Sequence, residues 1–218
     1  MLQTIIDIFL HLDKHLGALT NQNLILTYIL LFAVIFAETG LVVTPFLPGD
    51  SLIFAVGALV ASARMLGFPL TLLLLIVAAI LGDTANYHIG KLLHTRVETG
   101  GKIPLVKPEH IAKTHKFFEK YGPLTIIIAR FVPIVRTFAP FVAGVGSMRY
   151  GKFILYNIAG GITWVTLFLS AGFFFGNLPF VEKNFSLVVL ALIAVSILPA
   201  VYSVGLEMIT TRKNRLKQ

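Results

Sequence analysis

Apolar residues fill five long stretches of this chain, and short polar or charged segments separate them. Three stretches, 69–93, 153–176 and 186–207, read as uninterrupted helices of the roughly 20 residues that a bilayer span requires, with Pro199 kinking the last. The other two are interrupted. Residues 24–62 contain TPFLPGD (Thr44 to Asp50), where Pro45, Pro48 and Gly49 break the helix, and residues 123–148 contain FVPIVRTFAP, where Pro133 and Pro140 do so. Proline removes a backbone donor, and irregular backbone survives at membrane depth only where protein or water covers it. Each break therefore predicts a lined cavity. Ahead of these stretches, Leu2, Ile5, Ile6, Phe9, Leu12 and Leu16 recur at helical spacing with Asp7, Asp13 and Lys14 between them, which predicts an interfacial helix over 2–17.

Composition agrees with lipid as the solvent: 56% of the 218 residues are hydrophobic and 13% charged. The absence of cysteine excludes a disulfide framework and thiolate chemistry. A net charge of +8 does not imply nucleic acid, because the basic residues are not gathered on one soluble face. The N-terminus lacks the basic region and cleavage site of a secretory signal, so it is expected to stay attached.

Charge placement gives the topology, since cytoplasmic loops accumulate lysine and arginine. Thirteen of the eighteen Lys/Arg fall in a basic segment (94–121, with Lys91), at Arg149 and Lys152, and in the tail 208–218. All three are assigned to the cytoplasm, and the N-terminus and Arg64 to the periplasm. With Lys120 and Arg149 on one side, 123–148 must enter and return as a re-entrant hairpin, and 24–62, free of Lys and Arg, does the same from the opposite face. The predicted fold is an all-α polytopic membrane protein. It forms one domain, with two opposed re-entrant broken-helix hairpins in an inverted repeat, about three spanning helices and the interfacial helix. Aligning Pro45 with Pro133 pairs few identical residues beyond that proline and Ala55 with Ala143.

Setting loops and tails aside leaves Glu38, Asp50, Asp83, Arg130 and Arg136 at membrane depth. Charges there cost about 2.5–3.5 kcal/mol even on lenient scales, so they face wet cavities, pair up and mark transport paths. Glu38 and Asp50 bracket the first break, Arg130 and Arg136 the second, so opposed hairpin tips would bring acids against arginines. Arginine presents a rigid fork suited to phosphate oxygens. Arg130 and Arg136 are thus the candidate phosphate-binding residues, helped by the amides of the half-helix after the second break and by close backbone approach at Gly144 and Gly146. A carboxylate whose arginine turns to a bound anion is left to take a proton, which makes Glu38 and Asp50 the candidates for proton coupling.

Plainer explanations stand beside these. Asp50 follows Pro-Gly and would N-cap a short helix. The arginines would serve equally as counter-charges in a structural network. Asp83, with Asn86 and Tyr87 on the same helix, has the makings of a packing cluster as well as of an accessory site. Gly172 and Gly176 give a GxxxG spacing that usually means helix packing. Neither a metal-ligand set nor a catalytic constellation or cofactor motif is found, so no cofactor is expected.

The runs FAETGLVVTPFLPGDSLIFAVGAL (Phe36 to Leu59), GDTANYHIGKL (Gly82 to Leu92) and ARFVPIVRTFAPFVAGVG (Ala129 to Gly146) resemble the DedA family of bacterial inner-membrane proteins. That family shares its membrane domain with eukaryotic VTT-domain proteins that scramble phospholipids. The resemblance implies a bacterial inner-membrane location and dependence on the proton-motive force. It also implies a role in returning undecaprenyl phosphate, or another phospholipid, across the membrane in support of envelope synthesis, with Glu38, Asp50, Arg130 and Arg136 as the functional residues. The expected partners are a lipid phosphate and protons; the oligomeric state, with a homodimer as one arrangement, stays open. Competing functions are a proton-coupled exchanger of a small ion or solute, a membrane-embedded lipid phosphatase or transferase, which would need a nucleophile or metal ligands beside the arginines, and a membrane-organising protein without transport.

Overall fold

Asn23 caps the helix that follows it, its side-chain oxygen accepting the Leu26 amide at 3.0 Å. The computed structural model describes residues 19, 20, 22–41, 49–62, 66–94, 108–146, 148–185, 187, 188, 190 and 191. In chain order the helices are α1 (Leu24–Gly40), α2 (Gly49–Ser62), α3 (Phe68–Leu92), α4 (Pro108–Tyr121), a 3-10 turn (Gly122–Leu124), α5 (Thr125–Ala129), α6 (Pro133–Val145), α7 (Tyr150–Phe175) and α8 (Pro179–Lys183). No strand occurs among the described residues. The expected interfacial helix 2–17, the break prolines Pro45 and Pro48, Arg64, residues 95–107 of the basic segment, the third span beyond residue 191 and the tail 208–218 lie outside them.

α3 and α7, with 25 and 26 residues, are long and apolar enough to cross a membrane. At 1.5 Å per residue each exceeds the roughly 30 Å of hydrocarbon, whereas α1, α2 and α6 fall short of it. The outer surface is apolar: Ile25 is 72% exposed, Leu73 60%, Leu155 66% and Phe174 69%. Such a continuous apolar exterior requires lipid or a protein cover.

Both broken stretches contain two helices, as expected, and the second break has a visible cause. Pro133 occupies the first turn of α6, where its missing amide costs nothing, and it holds Val132 extended at φ −125°. Arg130 to Val132 form the tight turn, with Val132 N–H donating to the Ala129 carbonyl at 2.8 Å. Pro140 does not break the chain as expected. It is buried inside α6. It has no amide to offer the Arg136 carbonyl four residues back, but neighbouring helices hold the segment helical. Asn86 of α3, for instance, donates to the adjacent Thr137 carbonyl at 2.9 Å.

Packing exchanges the short helices between the long ones. α1 lies on α3 and α5 on α7, the long helix that follows each in sequence, while α2 lies on α7 and α6 on α3. Small residues set these crossings. A Cβ on Gly57 would stand 2.2 Å from the Leu169 carbonyl oxygen, and one on Gly172 2.0 Å from that of Phe54, so the GxxxG pair does mark a close approach, between α2 and α7. α3 and α7 run antiparallel. Tyr87 stacks on Phe153 at one end, with its hydroxyl donating to the Met148 carbonyl, and Phe68 meets Phe173 at the other. The first end carries Lys91, Lys116, Lys120, Arg149 and Lys152 and is the basic end of the molecule. There α4 packs on α6 through its apolar face, Ile111, Phe117 and Phe118.

Gly172→Leu is expected to lower stability by about 1–3 kcal/mol through overpacking against backbone. Gly151→Ala, which meets nothing within 4 Å, should leave the thermal midpoint in detergent unchanged. Equal midpoints for the two variants would refute the close α2–α7 contact.

Candidate functional site

The two breaks bring charged side chains together between the long helices. Glu38 lies in the last turn of α1 and Asp50 in the first turn of α2, while Arg136 lies in the first turns of α6. Arg136 donates from Nη2 to Glu38 Oε1 at 2.8 Å and from Nη1 to Asp50 Oδ1 at 2.9 Å. Two acids flanking the first break therefore meet an arginine that follows the second. Glu38 Oε1 also accepts the Gly49 amide at 3.0 Å, and a Cβ on Gly49 would stand 1.8 Å from Glu38 Oε2. Glycine at this position is what lets the carboxylate sit on the start of α2. That also answers the capping question in part: Asp50 is in the first turn, but its Oδ1 faces Arg136.

Trp164 completes the group and had no place in the sequence reading. Its indole N–H donates to Asp50 Oδ1 at 2.8 Å, and its ring carries the Arg136 guanidinium at 4.2 Å from the centroid, within cation–π range. It is fully buried in α7. The signal was present in the sequence, since this is the chain's one tryptophan and it falls mid-span, where an indole N–H needs an acceptor.

Arg130 takes different partners. It sits in the turn after α5, 3% exposed, and its Nη2 donates to Asp83 Oδ2 at 2.6 Å and to Asn157 Oδ1 at 2.7 Å. Asp83, expected as an accessory, is thus the direct counter-ion of Arg130. Asn157, also unremarked in the sequence, is anchored in turn by its amide to the Ile80 carbonyl at 3.0 Å. The guanidinium lies against Gly160 and Gly161 of α7, where a Cβ on Gly160 would stand 3.0 Å from Nε. Two of its donors, Nε and Nη1, are buried without a hydrogen-bond partner among the described residues, and so is Glu38 Oε2. Trp164 reaches both arginines, with Arg130 5.8 Å from its ring centroid.

Gly144 is not near this cluster. Its missing Cβ leaves room for the Tyr87 carbonyl, 2.1 Å from where that carbon would be, so it serves the α6–α3 crossing. It follows Arg136 by eight residues, about 12 Å along α6. The close backbone approach expected there is real, but the neighbour is α3. Asn86, expected as a packing group, bridges the Thr39 and Thr137 carbonyls at 3.1 and 2.9 Å and so ties the end of α1 to α6. Among the described residues no group of three or more His, Cys, Asp or Glu has metal-binding geometry.

Three carboxyls and two guanidiniums share this buried region, an excess of one acid. The arrangement suits two tasks: offering unpaired guanidinium donors to an acceptor that lacks water, and holding a proton in place of the missing cation.

A family model described as the VTT domain matches residues 47–174. The chain is 48% identical over 201 residues to Protein DedA of Escherichia coli (strain K12), covering 92% of each chain. It is 44% identical over 174 residues to the uncharacterized membrane protein Rv0364 of Mycobacterium tuberculosis (strain ATCC 25618 / H37Rv), covering 78% of this chain and 75% of the relative. It is also 35% identical over 162 residues to the inner membrane protein YqjA of Escherichia coli (strain K12), covering 74% and 73%. No solved structure matches.

Removing one partner of a buried ion pair costs about 3–5 kcal/mol, because the other charge is stranded. Asp83→Asn and Arg130→Gln are each expected to destabilise strongly, and the double variant by clearly less than their sum, in a thermal or denaturant series in detergent. Additive effects would refute the pairing.

Proposed function

We propose that this chain, which belongs to the VTT-domain family of DedA-like membrane proteins, moves a lipid phosphate from one leaflet to the other with protons as the coupling ion. The observation that carries the proposal is Arg130: a buried guanidinium with Nε and Nη1 unpartnered among the described residues, lying close against two glycines of α7 that leave it room beside the helix backbone. Leaving such donors unmet in a low-dielectric interior is costly, and phosphate oxygens, like carboxylate oxygens, match the guanidinium fork. Arg136 is engaged with Glu38 and Asp50, so a phosphate reaching it would compete with those acids. A carboxylate released in that exchange would take a proton and give it back when the arginine returns. The excess of one acid in the cluster supports the same role for Glu38 and Asp50.

The exchanged packing, α1 and α6 on α3 and α5 and α2 on α7, supports two hairpins in an inverted repeat. Undecaprenyl phosphate is our first choice of substrate, on the resemblance of the three sequence runs; another phospholipid would use the same contacts. The name of YqjA as an inner membrane protein supports that location here, and the positive-inside rule puts the basic end in the cytoplasm. The acid excess also favours a second function, proton-coupled exchange of a small cation, with the arginines only as counter-charges.

Reconstitution into liposomes decides between them. Purified protein should exchange a short-chain polyprenyl phosphate between leaflets, faster under a pH gradient. Arg130→Lys and Arg136→Lys, checked for folding by gel filtration, should slow exchange about tenfold or more, since lysine lacks the fork. Absence of lipid exchange by folded wild-type protein, with cation flux driven by the gradient, would replace this function with the second.

Gly49→Ala is expected to reduce the response to the gradient as Glu38→Gln does, because the added methyl takes the place of the Glu38 carboxylate, 1.8 Å away. An unaltered gradient response in both variants would remove Glu38 from the coupling step.

A further inference from the structure

The basic end holds a cavity of about 540 Å³ that the buried cluster does not use. It opens between α4 and its 3-10 turn on one side and the end of α6 and start of α7 on the other. Its walls include Phe118, Val142 and Ala143, and its rim His115, Arg149 and Lys152. The size falls within the roughly 300–1,000 Å³ typical of small-molecule sites. Its lining is amphiphilic in an ordered way, apolar inside and cationic at the mouth.

The rim charges differ in availability. His115 faces Glu119 one turn on, at 3.4 Å, on the exposed side of α4. Arg149 and Lys152, both exposed, form no ion pair among the described residues. Two cations three residues apart at the start of α7 therefore line a half-open, mostly apolar pocket. α4 itself is amphipathic, with Phe117 and Phe118 packed inward and Lys116, Glu119 and Lys120 outward, the pattern of a helix lying in the membrane interface. A helix so placed would put the mouth at headgroup level.

We infer that this cavity is a holding site for a lipid phosphate monoester, with the phosphate between Arg149 and Lys152 and the first carbons of its chain against Phe118, Val142 and Ala143. The inference rests on the proposed lipid-phosphate transport and adds a second, interfacial station to it. A free phosphate would leave the apolar walls wet, and an uncharged alcohol or detergent would leave the two cations unanswered. The monoester satisfies both halves. Because the site lies at the surface end of α6, and Arg136 near that helix's other end, one helix connects the two stations.

The test is photolabelling of the full chain in maltoside micelles with a diazirine-bearing dodecyl phosphate, mapped by peptide mass spectrometry. Labels are expected within 115–123 and 142–152, with dodecyl phosphate competing and neither dodecanol nor inorganic phosphate doing so. The Arg149→Gln/Lys152→Gln double variant, altered only at exposed positions, should lose about tenfold of this labelling, a difference worth about 1.4 kcal/mol of binding. Equal competition by dodecanol, or labels spread evenly along the lipid-facing helices, would overturn the site. Liposome exchange separates the two ideas. Exchange without cavity labelling removes the holding site and leaves transport standing, whereas specific labelling without exchange keeps the site and removes transport.

Discussion

Five ionisable side chains in an apolar interior impose the constraint that organises this molecule. A lone charge there is too costly to persist, so each must be delivered to a partner, and the partners come from distant parts of the chain. Arg136 reaches 98 residues back to Glu38 and 86 to Asp50, and Arg130 reaches 47 back to Asp83. Continuous spans would scatter these groups at different depths. Ending helices inside the protein places Glu38, Asp50, Arg130 and Arg136 at helix termini that meet, and it also supplies a free backbone amide, from Gly49, to the Glu38 carboxylate. The broken helices and the buried charges therefore explain each other: the breaks bring the charges together, and the charges keep the ends of the broken helices in place.

Much of this was legible in the sequence because membrane solvation leaves so few options. Apolar length identified α3 and α7, and the positions of acids and arginines around the two breaks anticipated the Arg136 group. The partition of the arginines was not legible. Arg130 turns to Asp83 and Asn157 because α5 packs on α7 and the turn after it reaches α3, a matter of helix crossing that local spacing does not carry. Pro140 misled for a related reason. A proline deletes one hydrogen bond wherever it stands, but whether the helix ends depends on what surrounds the orphaned carbonyl, and α6 is enclosed. Trp164 carries a signal in the sequence, a lone mid-span indole N–H that needs an acceptor, but aromatic residues in spans ordinarily signify packing, and its acceptor Asp50 lies 114 residues away.

The electrostatic character changes along the molecule. At the basic end the cations are exposed, numerous and held on long side chains, a diffuse attraction for any anionic surface. In the interior they are few, fixed and mostly engaged, so whatever binds there must match donor geometry. A ligand passing from one region to the other would move from a site selected by charge to one selected by shape, over the length of α6.

The exchanged packing has a mechanical meaning. Grouped by contact instead of by order along the chain, the short helices form two sets, α1 and α6 on α3 in one bundle and α2 and α5 on α7 in the other, with α3 and α7 also packed on each other. The chain passes from one bundle to the other between α1 and α2 and again between α5 and α6. Arg136 to Asp50 and Arg130 to Asp83 also cross the seam between the bundles, whereas Arg136 to Glu38 stays within the first bundle. The ion pairs are thus two clasps across that seam, added to the packing of α3 on α7, and any widening of the seam would stretch both.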